Sequence, residues 1–172
     1  HLSLRRQRQM CIRDRGRAGY NLNGAGMHIG VWDAGHIFAA HDEFTGGPDA
    51  LGPSLSIEIS DADEADIWNS HPTSVTSIMV AKGLFHQDNY DMTGIAPGAA
   101  KIYSYDWDND LFEILEQLQL RANPDFILSN HSYGYPLVDD TNEVIPNQYI
   151  GDYSDWSALL DEIAYLYTTY LH

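Results

Sequence analysis

Four short apolar segments constrain the fold of this 172-residue chain more than any other feature. They lie at 26–35, 55–60, 99–107 and 125–130. In the first of them, Met27, Ile29 and Val31 alternate with other residues, which is the pattern of a strand with one buried face. Each segment has the length of a strand and is followed by residues typical of turns. We therefore predict four strands.

Stretches with helical periodicity follow these strands. After His71, the residues Val75, Ile78 and Met79 recur at the spacing of one helix face. Proline is favoured in the first helical turn, where its missing N–H removes no hydrogen bond. We therefore place His71 at the cap of this helix, with Pro72 as its first residue.

Two more helices are predicted, and with the strands they define a fold class. One helix begins at Asp110, with Glu113 completing a capping box, and ends before Asn123. The other covers about residues 155–170. Its predicted apolar side comprises Trp156, Leu159, Leu160, Ile163 and Leu166. Strands that alternate with helices indicate an α/β fold with a mostly parallel, doubly wound sheet.

Charge and apolar content exclude two classes of partner. The formal net charge is −16, which disfavours nucleic acid, because phosphate neutralisation requires a basic surface. Apolar runs fall short of the ~18 residues that a membrane span requires, so we expect none. Six of the nine basic residues lie within residues 1–17. We interpret 1–17 as adapter-like sequence or a disordered basic tail, and 18–172 as part of one domain.

The ends of the strands carry the residues with chemical potential. In doubly wound sheets, functional groups gather beyond the carboxyl ends of the strands. Asp33 ends the first strand, Ser132 follows the fourth, and His71 opens a helix that starts near this edge. A carboxylate that holds one imidazole nitrogen leaves the other nitrogen available as a general base. The alternative is that Asp33 caps a turn and His71 caps a helix.

Four segments, in order along the chain, resemble the subtilisin-like serine proteases. The aspartate segment of that family is similar to GAGMHIGVWDAG followed by HDEF, and its histidine segment is similar to NSHPTSVTSIMVAKG. The strand that follows resembles MTGIAPGAAKIYSYDW, and the strand that lines the substrate cleft resembles ILSNHSYGY. The resemblance covers most of the chain after residue 18.

The resemblance implies a subtilisin-like fold and a secreted endopeptidase that acts on a peptide or protein substrate. Asp33 would be the orienting carboxylate and His71 the general base. The segment Ser132, Tyr133, Gly134 would line the cleft, with its backbone pairing to an extended peptide. No Gly-Thr-Ser-x-Ala segment and no oxyanion asparagine of the family occur in these residues. We therefore expect the 172-residue chain alone to be inactive.

Two rival functions stay open, and the first follows from departures from the family pattern. Thr76 and Ser77 stand where the family has an alanine and a glycine, and the added atoms are expected to cost about 1–3 kcal/mol in packing. A non-catalytic, peptide-binding module of the same fold is therefore one alternative. The other is a Rossmann-like or response-regulator-like domain that uses Asp33 for phosphate or metal chemistry.

Histidines and an acidic stretch near Asp33 are the candidates for metal ligands. His28, His36 and His41 lie near Asp33 in sequence, but their spacing favours surface or turn histidines over ligands. The acidic stretch 61–66 lacks the glycine of an EF-hand loop and is interpreted as a solvated loop. We predict no metal site and no required cofactor, with calcium possible but unplaced. Two aromatic residues, Tyr105 and Trp107, are candidates either for a substrate pocket or for the core.

Overall fold

The computed structural model describes residues 22–47, 55–61, 68–84, 92–120, 126–134, 138, 144 and 151–171. The strands are β1 (His28–Asp33), β2 (Ser56–Ile59), β3 (Lys101–Asp106) and β4 (Phe126–His131). The helices are α1 (Asp42–Thr45), α2 (Ser70–Val80), α3 (Asp110–Leu115) and α4 (Asp155–Leu166), and α3 continues into a π-helical turn at Glu116–Leu120. The interpretation of residues 1–17 and most of the acidic stretch 61–66 lie outside the described residues.

The four strands form one all-parallel sheet in the order β2-β3-β1-β4. Parallel neighbours require crossover connections, which the helices supply. The predicted α/β class with a mostly parallel sheet is therefore confirmed. In the register of β1, Asp33 lies beside Asp106 and Trp32 lies beside His131. The carboxyl ends of β1, β3 and β4 consequently meet at one edge of the sheet.

Helices cover both faces of the sheet, and the two faces differ in composition. We call them the α2 face and the α3 face. The α2 face is mainly aliphatic and buries Ile29, Val31, Ile37, Phe44, Leu55, Val80, Ala99 and Ile102. The α3 face is mainly aromatic and buries Trp32, Tyr103, Tyr105, Leu111, Ile114, Phe126, Ile163 and Tyr170. Successive residues of a strand point to opposite faces, which separates Val31 from Trp32.

Several local predictions need correction. No capping box starts α3: its N-cap is Asn109, in the left-handed region with no side-chain cap hydrogen bond. Asp110 is the first residue of the helix, and its carboxylate accepts from the Leu111 N–H at 2.6 Å and from the Tyr133 hydroxyl. The Glu113 carboxylate accepts from Trp32, and the Glu113 N–H donates to the Asn109 carbonyl.

The last helix also differs from its prediction. It ends at Leu166, and two residues of the predicted apolar side, Trp156 and Leu166, are exposed. Periodicity defined a helix face that is wider than the surface the sheet covers. The short helix α1 was not predicted, because four residues are too few to show a helical period.

Candidate active site

Asp33 ends β1 on the α2 face, and its carboxylate is almost completely buried. The side chain is 1% exposed. Its Oδ1 accepts a hydrogen bond from the backbone N–H of Ala34 at 2.7 Å and contacts His71 Nδ1 at 2.6 Å. A buried carboxylate requires such partners, because its ionised form is otherwise poorly solvated. The other oxygen, Oδ2, is also buried and has no hydrogen-bond partner within the described part of the chain.

The start of α2 places His71 beside this carboxylate. Asn69, not His71, is the N-cap, and its side-chain oxygen accepts from the His71 N–H at 3.0 Å. The prediction of His71 as the cap is therefore wrong, since Ser70 also belongs to the helix and Pro72 is its third residue. Proline is tolerated there because the first four N–H groups of a helix have no intrahelical acceptor.

Backbone hydrogen bonds connect the segment after Asp33 with the start of α2. The N–H of Asn69 donates to the carbonyl of His36 at 2.9 Å. The N–H of Phe38 donates to Thr73 Oγ1 at 3.0 Å, and that hydroxyl donates to the Asn69 carbonyl. These contacts fix the distance between the two segments. The Asp33–His71 contact is thus supported by the backbone on both sides.

The geometry of the pair assigns the tautomer of His71. An ionised carboxylate only accepts hydrogen bonds, so Nδ1 carries the proton that it donates to Asp33. In the neutral ring, Nε2 then holds the lone pair. The His71 side chain is 55% exposed, whereas Asp33 is buried. The arrangement can hold a histidine in one orientation and present its basic nitrogen at the surface.

The predicted cleft residues lie at the same edge, but no hydrogen bond joins them to the pair in the described residues. Trp32 and His131 are paired in the sheet, and the next residue after each is Asp33 and Ser132, respectively. Ser132 is exposed, its Oγ accepts from Asn130 Nδ2 at 2.8 Å, and no hydrogen bond joins it to His71 in the described residues.

The two residues after Ser132 differ in exposure. Gly134 is exposed. Tyr133 is half-buried and its hydroxyl donates to Asp110. Trp107 packs edge-to-face on the Tyr133 ring at 5.9 Å, and Trp107 is half-exposed. Tyr105, by contrast, is a core residue stacked on Trp32 at 4.5 Å.

A group of carboxyls at the ends of β2 and β3 was missed by sequence reasoning. Glu113 Oε2 accepts from Trp32 Nε1 at 2.8 Å and also forms a hydrogen bond with Asp61. The pKa of Glu113 is raised to about 8, mainly by burial and secondly by that hydrogen bond. Asp61 in turn accepts from the N–H of Asp106 at 2.6 Å. Asp61 is therefore not part of a freely solvated loop.

His36 was also interpreted incorrectly. The prediction of a surface or turn histidine is wrong for this residue, whose side chain is fully buried. Its Nδ1 lies 3.3 Å from Ser104 Oγ, and the Ile37 N–H donates to the same hydroxyl at 3.2 Å. The inward position of Ser104 in the alternation of β3 was the available signal. His41 does sit in a turn, where its ring accepts from the Glu43 N–H and caps α1.

Metal ligation is not indicated in the part of the chain that the structure describes. No group of three or more His, Cys, Asp or Glu side chains is arranged there to hold a metal ion. Three other residues of the acidic stretch considered for calcium lie outside the described residues: Asp63, Glu64 and Asp66. Within the described helices, none is both long and apolar enough to cross a membrane.

Comparisons with known proteins identify no relative of this chain. The chain matches no protein-family model, no curated protein and no solved structure. The assignment of a function therefore depends on the residues and contacts described above.

Proposed function

We propose that this chain forms the aspartate–histidine part of the active site of a subtilisin-like serine endopeptidase. The observation that carries the proposal is the 2.6 Å contact between His71 Nδ1 and Asp33 Oδ1 at the carboxyl edge of a parallel sheet. The resemblance of four ordered segments to that family supports the same roles for these two residues. So does the contrast in exposure, with a buried carboxylate and an accessible imidazole.

In this proposal His71 acts as general base and then as general acid. Its Nε2 takes the proton from a serine hydroxyl as the serine oxygen attacks the peptide carbonyl, and later gives that proton to the leaving amine. Asp33 keeps the Nδ1 proton in place and stabilises the imidazolium that forms. The nucleophilic serine and the oxyanion donors are supplied by residues outside this 172-residue sequence.

The substrate is an extended peptide that lies along the edge formed by Ser132 and Gly134. Both residues are exposed, and both follow the carboxyl end of β4. Backbone groups at such a position can pair with a peptide as an added strand, in which main-chain hydrogen bonds supply affinity. The side chains of Ser132 and Asn130 lie beside this path.

Sequencing the coding frame on both sides of these codons, followed by assay of the encoded protein, tests the proposal. We expect a downstream strand that ends in asparagine and then a Gly-Thr-Ser-x-Ala segment. The protein should cleave chromogenic peptides, and Asp33→Asn should lower kcat/KM about 10⁴-fold, the size expected when histidine loses its orienting carboxylate. Asp161→Asn, at an exposed carboxylate on α4, is the matched control and should change little. Full activity of the Asp33→Asn protein would contradict the proposal.

The 172-residue chain alone should release no burst of leaving group from an activated ester, because it lacks the nucleophile. A stoichiometric burst that disappears in Ser132→Ala would contradict the statement that the serine lies outside these residues.

A non-catalytic peptide-binding module is the second candidate, and one observation favours it. Thr76 is fully buried in α2 and its hydroxyl has no hydrogen-bond partner in the described residues. An unsatisfied hydroxyl under the histidine helix is what relaxed selection on the site would leave. A coding frame that continues without the serine segment would favour this candidate.

A response-regulator-like use of Asp33 is disfavoured by its surroundings. A phosphate-accepting carboxylate requires access for the incoming phosphoryl group, whereas Asp33 is 1% exposed and is covered by His71. Tight Mg²⁺ binding by the chain that is lost in Asp33→Asn would favour the response-regulator-like function.

A further inference from the structure

Five side chains beside β4 form one continuous series of hydrogen bonds. In order, they are Asp110, Tyr133, His131, Ser129 and Tyr170. His131 Nδ1 lies 2.9 Å from the Tyr133 hydroxyl, and His131 Nε2 lies 2.8 Å from Ser129 Oγ. Ser129 Oγ lies 2.6 Å from the Tyr170 hydroxyl. The series connects α3 to β4 and to the segment that follows α4.

The series has one consistent direction when His131 is neutral. Tyr133 donates its only hydroxyl proton to the Asp110 carboxylate, so its oxygen accepts from His131 Nδ1–H. His131 Nε2 then accepts from Ser129, whose oxygen accepts from Tyr170. Every donor in the series points toward the carboxylate of Asp110. Hydrogen bonds in such a directed series polarise and strengthen one another.

The contact between Ser129 and His131 is not a second nucleophile–base pair. Ser129 is 6% exposed, lies within β4 and is covered by the buried Tyr170. A substrate carbonyl cannot reach its hydroxyl there. The series therefore holds parts of the structure in place, and the part nearest to it is the proposed peptide path.

The side chains alternate along the end of β4. Ser129, His131 and Tyr133 join the series on the α3 face. Ser132 and Gly134, between and after them, are exposed. His131 is further held by stacking on Trp32, with ring centroids 5.1 Å apart and an interplanar angle of 8°.

We propose that Tyr133 and His131 are positioning residues that hold Ser132 and Gly134 in the place where a peptide pairs. The inference rests on the proposed function for the peptide, while the positioning itself rests on the hydrogen-bonded series. Fixing the chain at 131 and 133 leaves the residues between and after them with one backbone path. A peptide then binds without first ordering that segment.

The protonation of Tyr133 supports this role. Burial, and next its hydrogen bond to Asp110, raise the pKa of Tyr133. Burial likewise raises the pKa of Tyr170 to about 12. Both hydroxyls therefore keep their protons at neutral pH and remain donors.

Tyr133→Phe tests the inference, because it keeps the ring on Trp107 and removes only the hydroxyl. Tyr153→Phe is the matched control, since Tyr153 donates to Asp161 in the same way but lies exposed on the α4 side. Asp110→Asn gives a graded variant in which a neutral acceptor replaces the carboxylate. The readouts are backbone ¹⁵N order parameters at Ser132 and Gly134 and the ¹⁵N shifts of the His131 ring, all in the 172-residue chain.

In the unchanged chain we expect rigid order parameters of about 0.85 at both positions and a His131 ring protonated at Nδ1. Tyr133→Phe should lower the order parameters below about 0.6 and shift the ring toward the Nε2–H tautomer, with Asp110→Asn between the two. Tyr153→Phe should change neither readout. Unchanged order parameters and tautomer in Tyr133→Phe would overturn the inference, whatever the peptide does.

Titration with the blocked tetrapeptide acetyl-Ala-Ala-Pro-Phe-amide separates the inference from the proposed function. We expect it to shift the amides of Ser132 and Gly134, and we expect Tyr133→Phe to weaken that binding about tenfold if one-tenth of the molecules keep the competent arrangement. A mobile segment in Tyr133→Phe, with no peptide shift in the unchanged chain, would support positioning and overturn the peptide role.

Discussion

The two faces of the sheet end in polar groups that are satisfied to different degrees. On the aliphatic α2 face, Asp33 Oδ2, His36 Nε2 and Thr76 Oγ1 are all buried without a hydrogen-bond partner in the described residues. On the aromatic α3 face, the side chains from Asp110 to Tyr170 bond to one another in series. Gln117, which bonds to Tyr105 on that face, has one buried oxygen, Oε1, without a partner in the described residues.

This difference separates chemistry from positioning. Buried polar groups without partners cost stability. The α2 face carries the exposed imidazole of His71 beside the buried carboxylate of Asp33, so it bears the proposed chemistry. The α3 face carries a satisfied series with a buried hydroxyl that no substrate reaches, so it bears the support of the neighbouring segment.

Among substitutions that test the difference between the two faces, Trp32→Ala should have the largest effect on the free energy of unfolding. Trp32 is fully buried, stacks on both Tyr105 and His131, and donates to Glu113. Its loss should lower the free energy of unfolding by about 3–5 kcal/mol. Denaturant titration measures this change. Trp156→Ala, at a 51% exposed residue, is the control, and an equal loss in the control would show that Trp32 is not central to the α3 face.

A smaller effect is expected from Glu113→Gln, and it depends on pH. The pKa of Glu113 is raised from 4.5 to about 8, so the folded state binds this proton more tightly than the unfolded state. Its contribution to stability is full below the unfolded value and is lost as the pH rises through about 8. Glutamine removes this dependence, so the variant should be the more stable protein at pH 9 and lose its advantage toward pH 4.

Denaturant titration at pH 4, 7 and 9 measures the difference, with Glu162→Gln at an exposed site on α4 as control. A difference between Glu113→Gln and the unchanged chain that is the same at all three pH values would contradict the assignment.

The smallest effect is expected from Thr76→Val, which removes the unsatisfied hydroxyl with little change of shape. The variant should raise the free energy of unfolding by about 1 kcal/mol. The same substitution at Thr73 should act in the opposite direction, because that hydroxyl accepts from Phe38 and donates to Asn69. If both variants destabilise equally, the α2 face does not differ from the rest of the molecule in the way described.

The sequence predicted the strands from local patterns and the Asp33–His71 contact from the sheet topology that those strands define. All four predicted strands are found, since short apolar segments bounded by turn residues are a direct signal of a strand. A carboxylate that ends a central strand and a histidine in the first turn of a helix at the same edge are brought together by the topology alone.

The contacts of the α3 face were not predictable in the same way. Asp110 and Tyr133 are 23 residues apart, and Trp32 and Glu113 are 81 apart, with no local pattern that marks them as partners. The predicted capping box is absent because the helix has Asn109 as its N-cap, so Asp110 and Glu113 are one position out of the pattern, and Glu113 bonds to Trp32. The prediction placed the cap of α2 at His71 because proline is favoured at the first helical position, whereas Asn69 has the side chain that a cap requires.

The tautomer of His71 tests the central claim most directly, because it reports the Asp33 contact without requiring a nucleophile. In the ¹⁵N-labelled chain, with His71 assigned by its absence in His71→Ala, we predict a ring proton on Nδ1 with a strongly downfield ¹H signal. That result would place the Nε2 lone pair at the surface as a general base. A His71 ring protonated at Nε2, with no downfield Nδ1 proton, would contradict the account.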